Sequence, residues 1–329
     1  MMVNLRNFHT IFRAGGGCVD RRSFRSAKGV AKWGQPKKVE CMRQIPLSVD
    51  RDLRRVLHLA LDEDLGFGDV TSQAIFQDKR LRGQLVAKAD GVIAGLDAVR
   101  IGYEMLDRSV RVELMKQDGD SVQPGEVLAV AEGRADILLT GERVVLNLVQ
   151  HLSGIATETA KAVAALAGSS TKICDTRKTL PGLRLLQKYA VRCGGGKNHR
   201  MRLDDGVIIK DNHILAAGGV KQAVELARAH AGHMIRIEVE CETLHQVQEA
   251  VQAGADVIML DNQTPESAKQ LRKEIPSAIV VELSGGMRSD TIAAFADCGA
   301  DVISMGSLTH SVKALDMSFL LEGAEKRWA

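Results

Sequence analysis

The spacing of apolar residues changes twice along the chain, and each change announces a different architecture. Residues 1–45 show no sustained period and are interrupted by Gly15–Gly16–Gly17, so the sequence predicts a poorly ordered leader. From Pro46 the pattern becomes regular. Leu53, Val56, Leu57 and Leu61 recur at helical spacing, with Ser48 or Asp50 as the cap, and the helix is expected to stop at Asp64–Leu65–Gly66–Phe67–Gly68–Asp69. Short alternating segments near 82–88, 92–94, 110–115 and 127–131 predict strands. Between the last two, Asp118–Gly119–Asp120–Ser121 and Pro124–Gly125 mark tight turns. This describes a small α+β domain with a meandering sheet. A strongly apolar helix follows over 136–151, with Glu142 and Arg143 on its polar side.

Past residue 168 the period switches to short apolar strands alternating with helices. Strands are predicted at 171–175, 206–209, 235–239, 256–260, 279–283 and 301–305, with helices near 181–192, 218–230, 243–253, 265–274 and 288–298. Ala253–Leu260 echoes Cys298–Met305. Each is a helix end, a glycine stop and a buried strand, the repeating unit of a parallel α/β barrel. A doubly wound open sheet is the competing fold, but no glycine-rich dinucleotide fingerprint follows any of these strands. The chain therefore divides into a leader (1–45), a small domain (46–152), a barrel domain (153–310) and a C-terminal helix (311–329) expected to pack back on the small domain.

Composition narrows the function. Apolar residues make up 45% of the 329 and charged residues 26%, a globular profile, and 3% aromatics argue against a base-stacking surface. The net charge is +3, but residues 1–45 alone carry ten Lys/Arg against Asp20 and Glu40. The remainder, with 34 basic and 39 acidic residues, has no global footprint for nucleic acid. An Arg-rich, acid-poor leader can be an organellar transit segment; the reading preferred here is an upstream start, with Met42 opening the functional chain. No apolar stretch approaches a membrane span. Six scattered cysteines without a CxxC pair fit reduced thiols of the cytoplasm better than a disulfide framework or zinc site.

Candidate chemistry collects where the barrel strands end. The first ends in Asp175–Thr176–Arg177–Lys178 and the next in Lys210–Asp211–Asn212–His213. The others end in Glu240, Asp261–Asn262, Ser284–Gly285–Gly286 and Gly306–Ser307. Arg177, Lys178, Arg200 and Lys210, with His199 a candidate fifth, are cations that cannot share a site without an anion, so the ligand is multiply anionic. Glu240 and Asp261 suit ribose hydroxyls or a hydrated Mg²⁺ reached through water or substrate. Ser284, Gly285, Gly286, Gly306 and Ser307 let backbone N–H groups approach a phosphate. Taken singly, each feature has an ordinary explanation. Arg177–Lys178 can be a solvated pair, Glu142–Arg143 a helix-surface pair and His213 a structural histidine. Gly194–Gly195–Gly196 reads as the stop of a helix opened by Pro181, and Lys197 beside it lacks P-loop spacing. Their joint placement on successive strand ends is what describes one site.

These residues carry a resemblance. Asp175–Thr176–Arg177–Lys178–Thr179 with Pro181–Gly182–Leu183, then Lys188–Tyr189–Ala190–Val191, Gly194–Gly195–Gly196 and Asn198–His199–Arg200, closely resemble the quinolinate phosphoribosyltransferase family. So do Ile209–Lys210–Asp211–Asn212–His213, Glu238–Val239–Glu240, Leu260–Asp261–Asn262, Ser284–Gly285–Gly286 and Leu308–Thr309–His310–Ser311, in order from about residue 48 onward. The resemblance implies an incomplete parallel α/β barrel with a smaller N-terminal α/β sandwich domain, assembled as a homodimer or a higher oligomer. It implies transfer of phosphoribosyl from phosphoribosyl pyrophosphate to quinolinate with loss of CO₂, giving nicotinate mononucleotide and pyrophosphate on the de novo route to NAD, with Mg²⁺ and no organic cofactor. Lys178, Lys210, Glu240 and Asp261 would be catalytic. Thr176, Arg177, His199 and Arg200 would bind substrate, and Arg143 would reach the partner's site. Two other enzymes remain open at this point: a nicotinate-type pyridine phosphoribosyltransferase and a Schiff-base aldolase using Lys210. A non-catalytic anion-binding relative is the third alternative.

Overall fold

The computed structural model describes residues 45–76 and 79–322, all within one unit spanning Gln35–Ala329. The leader expected at 1–45, its start at Met42 included, lies outside the described residues but for its last position.

Helix α1 (Leu47–Leu65) buries Val49, Leu53, Leu57 and Leu61, the stripe its period requires. Its cap is Pro46, not Ser48 or Asp50; Asp50 lies in the first turn and accepts from Arg54 Nε at 3.1 Å. Helix α2 (Val70–Ile75) starts at Asp69, whose carboxylate accepts from the N–H groups of Thr71 and Ser72. Strand β1 (Arg80–Ala87) and the short β2 (Gly91–Val92) precede helix α3 (Asp97–Leu106), which the alternation reading does not foresee. It is amphipathic and buries Ala98, Val99, Ile101, Gly102 and Tyr103. Strands β3 (Arg111–Leu114), β4 (Ser121–Val122) and β5 (Val127–Arg134) follow, with positive φ at Gly119 and Gly125 in the predicted turns.

Helix α4 (Ala135–Ala165) runs 31 residues, well past the predicted end at 151. Nothing at 151 would stop it. Ser153 and Gly154 lie in its interior, and Gly154 is there for proximity: a Cβ would fall 2.3 Å from the carbonyl oxygen of Lys313. The helix packs on α1 and α3 at one end and on the barrel elements at the other.

The second half holds β6 (Lys172–Cys174), α5 (Arg184–Cys193), β7 (Val207–Ile209), α6 (Asp211–Ala217), α7 (Val220–His230), β8 (Ile237–Cys241) and α8 (Leu244–Gln252). Next come β9 (Val257–Asp261), α9 (Pro265–Lys273), β10 (Val280–Ser284), a 3₁₀ turn at Ile292–Phe295, β11 (Val302–Ser304) and α10 (Ser307–His310). Their sheet is parallel, in the order β6-β11-β10-β9-β8-β7. The strands follow one another around the sheet and the first pairs with the last. This is a barrel with one seam left open, between β6 and β7, and not a doubly wound sheet.

The helix expectations change at three places. The helix near 181–192 starts at Arg184, because Pro181–Gly182 form a turn with Gly182 at φ 78°. The one near 218–230 is found as α7, but an unforeseen helix, α6, precedes it; Gly218 and Gly219, at φ of 88° and 149°, end α6 before α7 begins. The helix over 288–298 shrinks to the 3₁₀ turn. Its start is taken by a local Arg288–Asp290 ion pair at 2.7 Å and by Thr291, side chains that favour turns over helix interiors.

The C-terminal helix expected at 311–329 is a strand. Met317–Leu321 forms β12 and pairs antiparallel with β1, and 323–329 lie outside the described residues. The run Met317–Leu321 supplies a free edge with a partner, and Gly83 makes room for the Phe319 ring, which a Cβ there would meet at 2.2 Å. The N-terminal sheet is accordingly β12-β1-β5-β3, with β2-β4 as a separate pair, and not a meander.

Candidate active site

Every strand end of the barrel delivers side chains to one cavity of about 880 Å³. Thr176, Arg177 and Lys178 come from the end of β6, His199 and Arg200 from the loop after α5, and Lys210 from β7. Glu240, Asp261, Ser284–Gly285–Gly286 and Gly306–Ser307 follow from β8, β9, β10 and β11. Of the residues expected to bind substrate, phosphate or metal, Arg143 alone is not brought there, and of the strand-end residues Asp175, Asp211 and Asn212 do not line it either. Arg143 is exposed on α4 and does not line this chain's cavity.

The loop carrying two of the cations is built on a buried ion pair. Lys188 and Asp175 are both fully buried and bonded to each other. Lys188 Nζ also donates to the His199 carbonyl at 3.0 Å, while Asp175 accepts from the His199 N–H at 2.9 Å and from Asn198 Nδ2. Burial pushes the Asp175 carboxyl up against the pull of Lys188. Next to this anchor Arg200 donates from Nη1 to the Gly206 carbonyl at 2.6 Å. Burial, and then the neighbouring Arg177, lower its pKa. The Nε atoms of Arg177 and Arg200 are buried with no hydrogen-bond partner among the described residues. A buried guanidinium donor left open is costly, and an anion in the cavity relieves it.

On the opposite wall Lys210 is ion-paired with Glu240, and Asn262 Nδ2 donates to Asp261 Oδ2 at 2.6 Å. Asn262 has φ 53° and sits so close to Gly285 that a Cβ there would lie 2.2 Å from Asn262 Oδ1. Only glycine fits, which keeps the backbone of the Ser284–Gly286 turn open to a phosphate. Gly306 likewise gives way to the Lys178 side chain, whose Cδ would be 2.8 Å from its Cβ.

Beneath these groups lies a feature that strand ends alone do not reveal. Glu238 in β8 and Glu282 in β10 are buried mid-strand, and His199 Nε2 stands 3.2 Å from Glu238 Oε2 and 3.5 Å from Glu282 Oε2. The three groups offer atoms within 4.8 Å of one another, and the Arg200 N–H donates to the other ring nitrogen of His199, Nδ1, at 2.7 Å. Burial, reinforced by Glu238, pushes Glu282 up to about 7. For His199 burial acts downward, but the two carboxyl groups outweigh it and leave the ring above its ordinary value. The sequence signal existed: charged residues in the middle of buried parallel strands, two positions before the site residues Glu240 and Ser284 and therefore on the same face. His213 and His310, named in the sequence only within a strand end and a motif, also line the cavity, as do Met259 and Ser304, which the sequence did not single out.

Residues 69–153 match the N-terminal domain and residues 155–320 the C-terminal domain of quinolinate phosphoribosyl transferase. The chain belongs to the quinolinate phosphoribosyl transferase family. One member of the family, a probable nicotinate-nucleotide pyrophosphorylase [carboxylating] of Bacillus subtilis (strain 168), is 52% identical over 266 residues, covering 81% of this chain and 92% of that protein. The crystal structure of NadC from Streptococcus pyogenes superposes with a TM-score of 0.80 at 42% identity over 84% of this chain and 97% of that one. The nicotinate-nucleotide pyrophosphorylase of Francisella tularensis does so at 0.79 and 34% identity, covering 86% and 99%. The quinolinate phosphoribosyl transferase likeness thus runs through both domains and across α4.

Proposed function

We propose that the protein transfers phosphoribosyl from phosphoribosyl pyrophosphate to quinolinate with decarboxylation, giving nicotinate mononucleotide, pyrophosphate and CO₂ for de novo NAD synthesis. One observation carries this reading. A single cavity collects Arg177, Lys178, Arg200 and Lys210, with two buried guanidinium Nε atoms that have no hydrogen-bond partner among the described residues, alongside the carboxylates Glu240 and Asp261 and a glycine turn. The names of the relatives support the same chemistry.

The pyridine nitrogen is the nucleophile, so no side chain need form a covalent bond. As pyrophosphate leaves, positive charge develops on the ribose, and Glu240 and Asp261 face it. Lys178 and the arginines neutralise the leaving group and the two carboxylates. N-ribosylation makes the pyridine cationic. The bond from C2 to its carboxylate then breaks, CO₂ departs, and the electron pair stays at C2 as an ylide until a proton arrives. The protein orients the partners and excludes water. Mg²⁺ belongs to this scheme as part of the pyrophosphate substrate. Glu240, paired with Lys210, and Asp261, beside Asn262, are the carboxylates that would hold the ion, which would neutralise charge on the departing pyrophosphate.

Arg143 completes the scheme only in an assembly. It is exposed on α4, and we assign it to the cavity of a second copy in a homodimer with shared sites. We place the enzyme in the cytoplasm; no described helix is long and apolar enough to cross a membrane. The Schiff-base alternative needs a free amine at Lys210, which is instead ion-paired with Glu240. The deciding experiment is turnover of quinolinate against nicotinate with phosphoribosyl pyrophosphate and Mg²⁺. CO₂ release from quinolinate is expected; preference for nicotinate, which has one carboxylate, would overturn the assignment.

A further inference from the structure

Lys178 lines the cavity, yet its ammonium has neither an ion-pair nor a hydrogen-bond partner among the described residues. Lys210, by contrast, is held by Glu240. A lysine side chain has many rotamers and fixing a free one costs entropy, so something other than a counter-charge must aim it. The aim is set at the backbone. The Lys178 N–H donates to Thr176 Oγ1 at 3.0 Å, and the Lys178 carbonyl accepts from Thr309 Oγ1 at 2.7 Å. The side chain passes over Gly306, where a Cβ would lie 2.8 Å from Lys178 Cδ. Thr309 is 1% exposed and has a local acceptor in the Gly306 carbonyl at 3.3 Å, the usual satisfaction of a helical threonine. Its shorter bond goes instead to Lys178, 131 residues away in sequence. Gln187, fully buried on α5, braces the same contact. Its Nε2 donates to the Thr309 carbonyl at 3.3 Å, and its Oε1 accepts from the Leu180 N–H at 2.9 Å. Nε2 also lies 2.8 Å from His151 Nε2 on α4, so both ends of the amide are engaged.

We propose that Thr309, braced by Gln187, is a positioning residue for phosphoribosyl transfer: it locks Lys178 to the Gly306–Ser307 turn, so that cation and turn meet phosphoribosyl pyrophosphate as one preorganised unit. The proposal rests on the reading that this is the donor substrate. Thr309 is buried and does not line the cavity, so it acts only through Lys178. Negative charge on the pyrophosphate grows as its bond to the ribose breaks, and an ammonium already in place stabilises that charge without reorganising. Loss of the Thr309 hydroxyl leaves the Lys178 carbonyl without its donor and lets the loop drift. Binding of the intact substrate is shared among the cations, so the drift is felt in kcat more than in KM.

The test is a double-mutant cycle on turnover. Thr309→Val removes the hydroxyl and Thr309→Ser keeps it; each is made in the wild type and in Lys178→Ala, and kcat and the KM for phosphoribosyl pyrophosphate are measured with Mg²⁺ and saturating quinolinate. Single turnovers with excess enzyme reach rates too slow for the steady state. Thr309→Val should lower kcat by about 10- to 100-fold while KM moves by less than about threefold. Thr309→Ser should return most of the loss. In Lys178→Ala, where no ammonium is left to aim, Thr309→Val should cost no more than about twofold further. A loss by the same factor in both backgrounds reveals a general fault of packing and overturns the proposal. So does a Thr309→Val enzyme within about twofold of the wild type, since such a factor is no larger than the error of additivity. Should Thr309→Val fail to fold, Gln187→Leu carries the test through the Leu180 amide. That amide should exchange with solvent at least about tenfold faster than in the wild type, and kcat should fall only while Lys178 is present. Unchanged exchange or unchanged kcat refutes the proposal. A wild type that turns over no phosphoribosyl pyrophosphate sinks the substrate reading and the proposal with it; turnover with equal losses in both backgrounds sinks the proposal alone.

Discussion

Single side chains at this site divide into those that meet the ligand and those that hold others in place. Arg200 and Lys210 belong to the first group. Alanine at either position should weaken quinolinate binding by about 2–5 kcal/mol while leaving the unfolding transition nearly unchanged, since each removes one partner of a desolvated charge pair. Isothermal titration beside thermal unfolding would check this, and equal losses in both would count against the role. Asp175 belongs to the second group. Asp175→Asn leaves Lys188 charged and fully buried, which should cost about 3–5 kcal/mol in denaturant unfolding. Adding Lys188→Met should return part of that loss, because an apolar replacement removes the orphaned charge. The ligand-facing residues were legible because a polar residue ending an apolar strand has no structural reason to be there. Asp175 and Lys188 were visible only as parts of a motif. Their function is a contact between positions 13 residues apart, on a strand end and a helix, which spacing along a chain does not encode.

Elements were legible where one face meets one core. The six barrel strands lie within two residues of their expected places because each is a short, largely apolar and largely buried run between turn signals. What failed were elements whose state is decided by a distant partner. Met317–Leu321 becomes a strand because β1 offers an edge, and α3 becomes a helix because α1 and α4 cover its apolar stripe. The length of α4 was missed because the apolar run was followed only to 151; Gly154, inside the helix, accommodates the Lys313 backbone. Gly154→Ala should therefore destabilise the protein by about 1–3 kcal/mol despite the better helix propensity of alanine, the reverse of the effect at an exposed helical glycine. A gain in melting temperature would show that the contact relaxes freely.

Across the whole molecule, Arg143, exposed on α4 and away from this chain's cavity, leads to the expectation that one chain does not make a complete site. Inactive Arg143→Ala and inactive Lys210→Ala chains, mixed and allowed to exchange, should regain activity. In a mixed dimer one site carries both lesions and the other neither. With about half the dimers mixed by random pairing, activity should approach roughly a quarter of the wild type. No recovery after proven exchange would place Arg143 outside the partner's site.

Helix α4 has a further consequence. Thirty-one residues at 1.5 Å each make a rod of about 46 Å, and it is common to both halves of the fold. Neither half can melt while the other keeps that rod intact, because its middle turns are buried by both. Two domains joined by a flexible linker unfold in two steps; these two should unfold in one, with the calorimetric and van't Hoff enthalpies equal. The last amides to exchange should be those of the middle of α4, Leu146 to Ala156, where the two cores meet.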